Sequence, residues 1–174
     1  HAEMEQPQTR LMNWVWFGNA PIYSANSGLL TAKGSLMEKY GVNLKMTTNN
    51  SVNDMKKEQL AFIADYAGGK KNTATGVHFV TLMGDGAGPY ITAMNEQIKK
   101  AYGEEYCLKI AGIVGFSLGE DCLIGPARWK NDPQSAKGAV ICAVIGDGDW
   151  ALVVRWAASN GIRINPDPGT YDPN

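Results

Sequence analysis

The chain is short of the residues that most readily declare a chemistry. Only two of its 174 residues are histidine and three are cysteine. Cys107, Cys122 and Cys142 form no C-x-x-C pair, which argues against a zinc site and excludes a dense disulfide framework. Three small core residues are the plainer expectation, with one bridge plus a free thiol as the alternative. Net charge is small too: the formal value is −1. No basic excess points to nucleic acid, and no acidic block points to a disordered tail. No apolar run approaches the ~18–20 residues needed to cross a bilayer. The chain opens on His1 rather than Met, as a mature or trimmed product does.

What is present is a succession of short apolar runs punctuated by glycine. The most informative is Gly76–Met83, a strand pattern bounded by Gly and followed by Gly84-Asp85-Gly86-Ala87-Gly88-Pro89. Pro89 suits the first turn of a helix carrying Ile91, Met94, Ile98 and Tyr102. A buried strand, a Gly turn and a helix would put a junction at the end of a parallel sheet, where small ligands bind in open α/β proteins.

Further strands are expected over Leu11–Phe17, Val42–Thr47, Tyr106–Val114 and Ala139–Ile145. Val42–Thr47 alternates apolar and polar residues, as a half-buried strand near a sheet edge does. Helices are expected over Gly34–Tyr40, from the Asn50-Ser51 cap through Tyr66, and over Trp150–Asn160. Alternation of this kind predicts an α/β fold with a mostly parallel sheet flanked by helices. Residues 1–10 read as a flexible lead-in and 11–137 as a first α/β lobe. Residues 138–161 read as the strand–helix start of a second lobe, and 162–174 as a linker or truncated end.

Enzymatic readings fail on spacing. A G-x-G-x-x-G dinucleotide turn would need Gly where Pro89 stands. The turns at Gly84–Gly86 and Gly146–Gly148 have no convincing downstream Asn pair of the kind a magnesium–thiamine diphosphate site needs, and Asn165 lies too close after the second turn. Ser117 within Gly115-Phe116-Ser117-Leu118-Gly119 fits G-x-S-x-G, but no helix pattern follows and no His occurs after His78. His78 reads as a packed residue, not a base. Asp85, Glu120, Asp121, Asp147 and Asp149 form no calcium-type loop. The expectation is a protein that is not an enzyme and uses neither metal nor cofactor.

Binding remains. Asn19, Ser27, Ser51, Gly84, Asp85, Gly86 and Ser117 fall at predicted strand–helix junctions, and a parallel sheet would gather such junctions at one edge. Small amide and hydroxyl groups with free backbone N–H groups make a cradle for a polar or anionic solute. Taken singly, each is more readily an N-cap or turn former. Asp85 is the awkward member, because a carboxylate repels an anion. Trp14, Trp16, Tyr23 and Trp129 are candidates for the walls, although aromatics beside strands usually serve the core.

The run Ala32-Lys33-Gly34-Ser35-Leu36-Met37-Glu38-Lys39-Tyr40-Gly41-Val42-Asn43-Leu44 resembles the first lobe of type 2 periplasmic solute-binding proteins. So do Val77-His78-Phe79-Val80 with Met83-Gly84-Asp85-Gly86, Gly119-Glu120-Asp121 with Gly125–Lys130, and Asp147-Gly148-Asp149-Trp150. The nearest subset in pattern is the nitrate/sulfonate/phosphate-type binding components of ABC transporters. The resemblance spans about residues 11–174. It implies an exported or periplasmic receptor that closes two lobes on a small solute and delivers it to a membrane permease. It also implies that a partner or further chain supplies or replaces much of the second lobe. A reduced, non-binding interaction module on the same fold is the alternative expectation.

Overall fold

The computed structural model describes residues 2, 5–116, 122–143 and 148–171. Three parallel strands form its sheet: β1 (Thr9–Asn13), β2 (Leu44–Thr48) and β3 (Phe79–Val80), in the order β2-β1-β3. Thr9 lies opposite Leu44 and Asn13 opposite Thr48, while Leu11 and Met12 lie opposite Phe79 and Val80. The period of two in a strand sends Leu11 and Met12 to opposite faces. Leu11 joins Leu44 and Met46 under Ile22, Tyr23 and Met37, from α1 (Ala20–Asn26) and α2 (Leu36–Lys39). Met12 joins Met55 and Ile63 of α3 (Val52–Ala67) and Tyr90, Met94 and Ile98 of α4 (Gly84–Ala101). Helices therefore cover both faces of a small parallel sheet, which is the α/β arrangement expected from the alternation of elements.

The chain divides into two compact units. The first comprises His1–Leu82 with Pro89–Phe116, and the second Met83–Gly88 with Ser117–Asn174. In the first unit the lead-in is pinned: Ala2 is buried and donates to the Thr31 carbonyl, and Asn43 donates to that of Gln6. The outer edge of β2 is covered as well. Met46 N donates to Leu29 O and Thr31 N to Leu44 O, so the segment 29–31 runs antiparallel along it.

Several elements differ from expectation. Gly76–Met83 holds only a two-residue strand, although His78 N to Arg10 O and Thr81 N to Met12 O extend the ladder at each end. Phe79 is exposed, so this is not a fully buried strand. Gly84–Gly86 is not a separate turn: α4 begins at Gly84, and Pro89 lies inside the helix. The carbonyl of Asp85 thereby loses its i+4 donor, a defect tolerable near a helix start and costly further in. Tyr106–Val114 forms no strand; a 3-10 turn over Glu104–Tyr106 leads into irregular backbone with Ile110 and Ile113 exposed. An apolar run becomes a strand only with a ladder partner, and among the described residues this run has none.

The second unit contains α5 (Arg128–Asn131), a 3-10 turn over Pro133–Ala136, α6 (Gly148–Ser159) and a 3-10 turn over Pro168–Thr170. The strand expected over Ala139–Ile145 is irregular as far as Ala143; its last two residues lie outside the described ones. Trp129 and Trp156 pack with ring centroids 6.0 Å apart. Cys107, Cys122 and Cys142 are free thiols, and the last two are exposed, not core residues. Among the described residues, no helix is long and apolar enough to cross a membrane.

Candidate functional site

Strand order locates the point of interest. From β1 the chain first goes to β2 on one side and then reaches β3 on the other, so the connections diverge between the carboxyl ends of β1 and β3. In open α/β sheets this divergence opens a crevice that serves as the ligand site. Here it is bordered by the β1–α1 loop, Trp14–Asn19, and by Thr81–Leu82 after β3.

The last rung of the sheet is polar. Asn13 lies beside Thr48, and the Met12–Val80 pairing brings Thr81 next along on the other side. Thr81 alternates with the core-facing Val80 and so shares the α1 face with Asn13. The Asn13 amide is fully buried and donates to the Trp14 carbonyl (3.0 Å) and to the Tyr23 hydroxyl (2.9 Å). The Tyr23 hydroxyl is also 3.0 Å from Thr48 Oγ1. Asn19, 1% exposed, donates through Nδ2 to the same Trp14 carbonyl at 3.0 Å. Trp14, one residue beyond Asn13, turns to the α3 face and packs on its core.

These groups are only half satisfied. Four buried side-chain polar atoms among the described residues have no hydrogen-bond partner: Trp14 Nε1, Asn19 Oδ1, Thr81 Oγ1 and Trp129 Nε1. Three of the four therefore stand at this one end of the first unit. A buried polar atom left unmatched costs about 1–3 kcal/mol, so three of them in residues at one end of the sheet are an energetic defect.

Trp14 also lines a cavity of about 450 Å³, with Val15, Trp16, Tyr23, Ser24 and Thr48 among others; Asn19 and Thr81 do not line it. Among the described residues, no Asp, Glu, Lys, Arg or His lines it. Its rim is apolar: Val15 is 75% and Phe17 60% exposed. The Trp16 ring lies over Gly18, where any Cβ would collide with it, and a Cβ on Gly115 would collide with the Gly18 carbonyl oxygen. Val15 N donates to Asn50 Oδ1 at 2.9 Å, tying the loop to the start of α3.

The junction residues expected to bind divide among several places. Asn19 and Ser51 both stand at the carboxyl end of the sheet. Ser51 is the N-cap of α3, its Oγ accepting from Asp54 N at 3.2 Å. Ser27 is the left-handed C-cap of α1 (φ 57°). Helix α1 runs back along the sheet, so Ser27 belongs to the amino end with Leu44 and is not brought together with Asn19. Gly84, Asp85 and Gly86 form the first turn of α4 and belong to the second unit, with Gly84 and Asp85 exposed. Ser117 lies outside the described residues. Of the aromatics, Trp14, Trp16 and Tyr23 line the cavity, while Trp129 belongs to the second unit. Asn13 and Thr81 escaped the sequence reading because both sit within apolar strand patterns; their polarity at the ends of the runs was the available signal.

His78 is half-buried; its Nδ1 accepts from Arg10 N at 3.0 Å, and its ring packs on Phe62. Burial, assisted by the nearby Arg10 charge, lowers its pKa. It stands at the amino end of β3, away from the crevice. No group of three or more His, Cys, Asp or Glu able to hold a metal occurs among the described residues. The second unit has its own cavity of about 410 Å³, lined largely by apolar residues including Trp150, Val153, Trp156 and Ile162, with exposed Lys137 and Arg163.

Compared with known proteins, the chain matches no family model, no curated protein and no solved structure. The resemblance to solute-binding proteins rests on the sequence motifs alone.

Proposed function

We propose that the chain is a non-catalytic receptor for a small polar solute, captured where β1 and β3 of the first unit end. The observation that carries this reading is the grouping of Trp14 Nε1, Asn19 Oδ1 and Thr81 Oγ1, all buried and unmatched, at the strand-order divergence. A core selected for stability alone removes or pairs such groups; a ligand that completes their hydrogen bonds gives a reason to retain them. The motif resemblance adds an exported setting, the nitrate/sulfonate/phosphate-type subset and delivery to a membrane permease.

A second reading, an interaction module without solute, is favoured by a different observation. Ile110, Ile113 and Phe116 are 73%, 73% and 70% exposed along irregular backbone, an apolar stretch that a partner could cover. A thermal-shift panel of nitrate, phosphate, sulfonates, small amino acids and neutral heterocycles separates the two. A solute that raises the melting temperature supports the receptor through linkage. No response to any compound at millimolar concentration contradicts it.

A further inference from the structure

We infer that the second unit holds a binding site of its own, for an amphipathic organic anion: a carboxylate carried on a flat aromatic body. This goes beyond the receptor reading and does not rest on it. The cavity of the second unit, about 410 Å³, falls within the size range of small-molecule sites. Three stretches of chain border it: the irregular run after Ala136, one side of α6, and the segment after Gly161. Trp150, Val153, Trp156 and Ala157 recur along α6 at three- and four-residue spacing, which gathers them on one side of that helix. Val153 and Ala157 are buried, whereas Trp150 and Trp156 are only half-buried and Tyr171 is 39% exposed. Three aromatic residues thus line the cavity with surface still open to water. A flat apolar ligand would cover that surface.

Charge sets the other end of the ligand. Among the described lining residues the charged ones are Lys137 and Arg163, both cations and both exposed. No Asp or Glu accompanies them there, and neither side chain has an ion-pair or hydrogen-bond partner among the described residues. The nearby acids are placed elsewhere: Asp167 caps Gly169 N at 3.0 Å, Asp149 accepts from Trp150 N at 2.8 Å, and neither lines the cavity. The other polar side chains of the 165–171 turn are committed within it. Asn165 Nδ2 donates to Thr170 Oγ1 (2.7 Å), and the Tyr171 hydroxyl donates to the Asn165 carbonyl (2.9 Å). The two cations are therefore left to answer an anion. A guanidinium presents parallel N–H donors to a carboxylate, and an ammonium adds a point charge on a flexible stem. Such stems let the charged heads stay in water at the mouth while an apolar body lies against the walls. A neutral ligand would leave both charges unanswered, and an inorganic anion would leave the aromatic walls uncovered.

Naphthoate, the naphthalene carboxylate, is the probe. Naphthamide keeps the flat body without the charge, and acetate keeps the charge without the body. Calorimetry on the full chain at low salt is expected to show naphthoate binding with a dissociation constant below about 1 mM, roughly tenfold tighter than naphthamide, and no binding of acetate. Naphthoate affinity should fall as salt is raised from about 20 to about 300 mM, since the cations are exposed. The double variant Lys137→Gln, Arg163→Gln should weaken naphthoate about tenfold and leave naphthamide unchanged, with an unaltered far-UV dichroism spectrum. Equal affinity for the two naphthyl compounds in the parent, or equal weakening of both in the double variant, overturns the charge pairing. Acetate binding as tightly as naphthoate overturns the aromatic body. Naphthoate binding that the double variant retains at full strength overturns the location, and no naphthoate binding at millimolar concentration overturns the site. The crevice of the first unit is tested by other compounds and other residues, so neither site's failure counts against the other.

Discussion

The two ends of the sheet bury similar polar groups and treat them differently. At the amino end, Asn26 and Thr31 are 0% and 1% exposed. The Thr31 hydroxyl meets Asn26 Oδ1 at 2.8 Å, accepts from Leu44 N at 2.8 Å and lies 3.0 Å from the Val42 carbonyl. Asn26 Nδ2 donates to the Gly28 and Leu44 carbonyls. Every polar atom there has a partner, and the network fastens the segment 29–31 along β2. At the carboxyl end, Asn13 is paired but Trp14, Asn19 and Thr81 each keep an unmatched atom. One end spends its buried polarity on structure. The other holds it in reserve, and that asymmetry is the physical content of the proposed site.

The comparison can be broken by substitution. The largest effect is expected beneath both ends: Met55→Ala empties a fully buried position in the α3 core and should cost about 2–5 kcal/mol in urea unfolding. At the amino end, Thr31→Val strands the Leu44 amide and Asn26 Oδ1, with an expected cost of about 1–3 kcal/mol. At the carboxyl end, Thr81→Val removes a hydroxyl that has no partner. It should leave stability within about 0.5 kcal/mol of the parent, or raise it. Equal losses from the two threonine variants would erase the distinction between the ends.

The smallest effect is a pH dependence at the amino end. The pKa of His78 is lowered by burial and by the Arg10 charge, so the unfolded chain binds the proton more readily. Stability should therefore fall as pH drops through about 6.5, the ordinary histidine value, and level off below the folded pKa; His78→Gln should abolish this slope. Asp65 acts in the same sense but in a lower pH window, since hydrogen bonds from Thr73 and Lys70 hold it at about 2. Its contribution is present above the ordinary aspartate range and is lost as pH falls toward about 2. Melting temperatures between acid and neutral pH, on the parent and His78→Gln, separate the two.

Much of this fold was legible in residue order. Ser51 capping a run with Met55, Leu60 and Ile63 at helical spacing gives α3, and the alternation over Val42–Thr47 gives β2. What residue order did not yield was pairing. Tyr106–Val114 and Ala139–Ala143 are as apolar as β2, yet without a neighbour supplying a hydrogen-bond ladder they remain irregular. The start of α4 misled for a local reason: Gly84–Gly88 looks like a turn, and Pro89 like a first helical residue, but the helix already begins at Gly84. The site was half legible. Asn19 stands out at a strand–helix junction, whereas Thr81 matters through its register against Asn13, and register emerges only when strands pair.

The central claim concerns one proton as much as any residue: the indole N–H of Trp14, buried and unmatched. A ¹H–¹⁵N correlation spectrum of the full chain resolves tryptophan indole signals, and Trp14→Phe assigns this one by its disappearance. Titration with a solute of the thermal-shift panel that raises the melting temperature should move the Trp14 indole proton downfield as it gains an acceptor, with slower solvent exchange. If such a solute binds while that signal stays in place, the crevice between β1 and β3 is not where this protein holds its ligand.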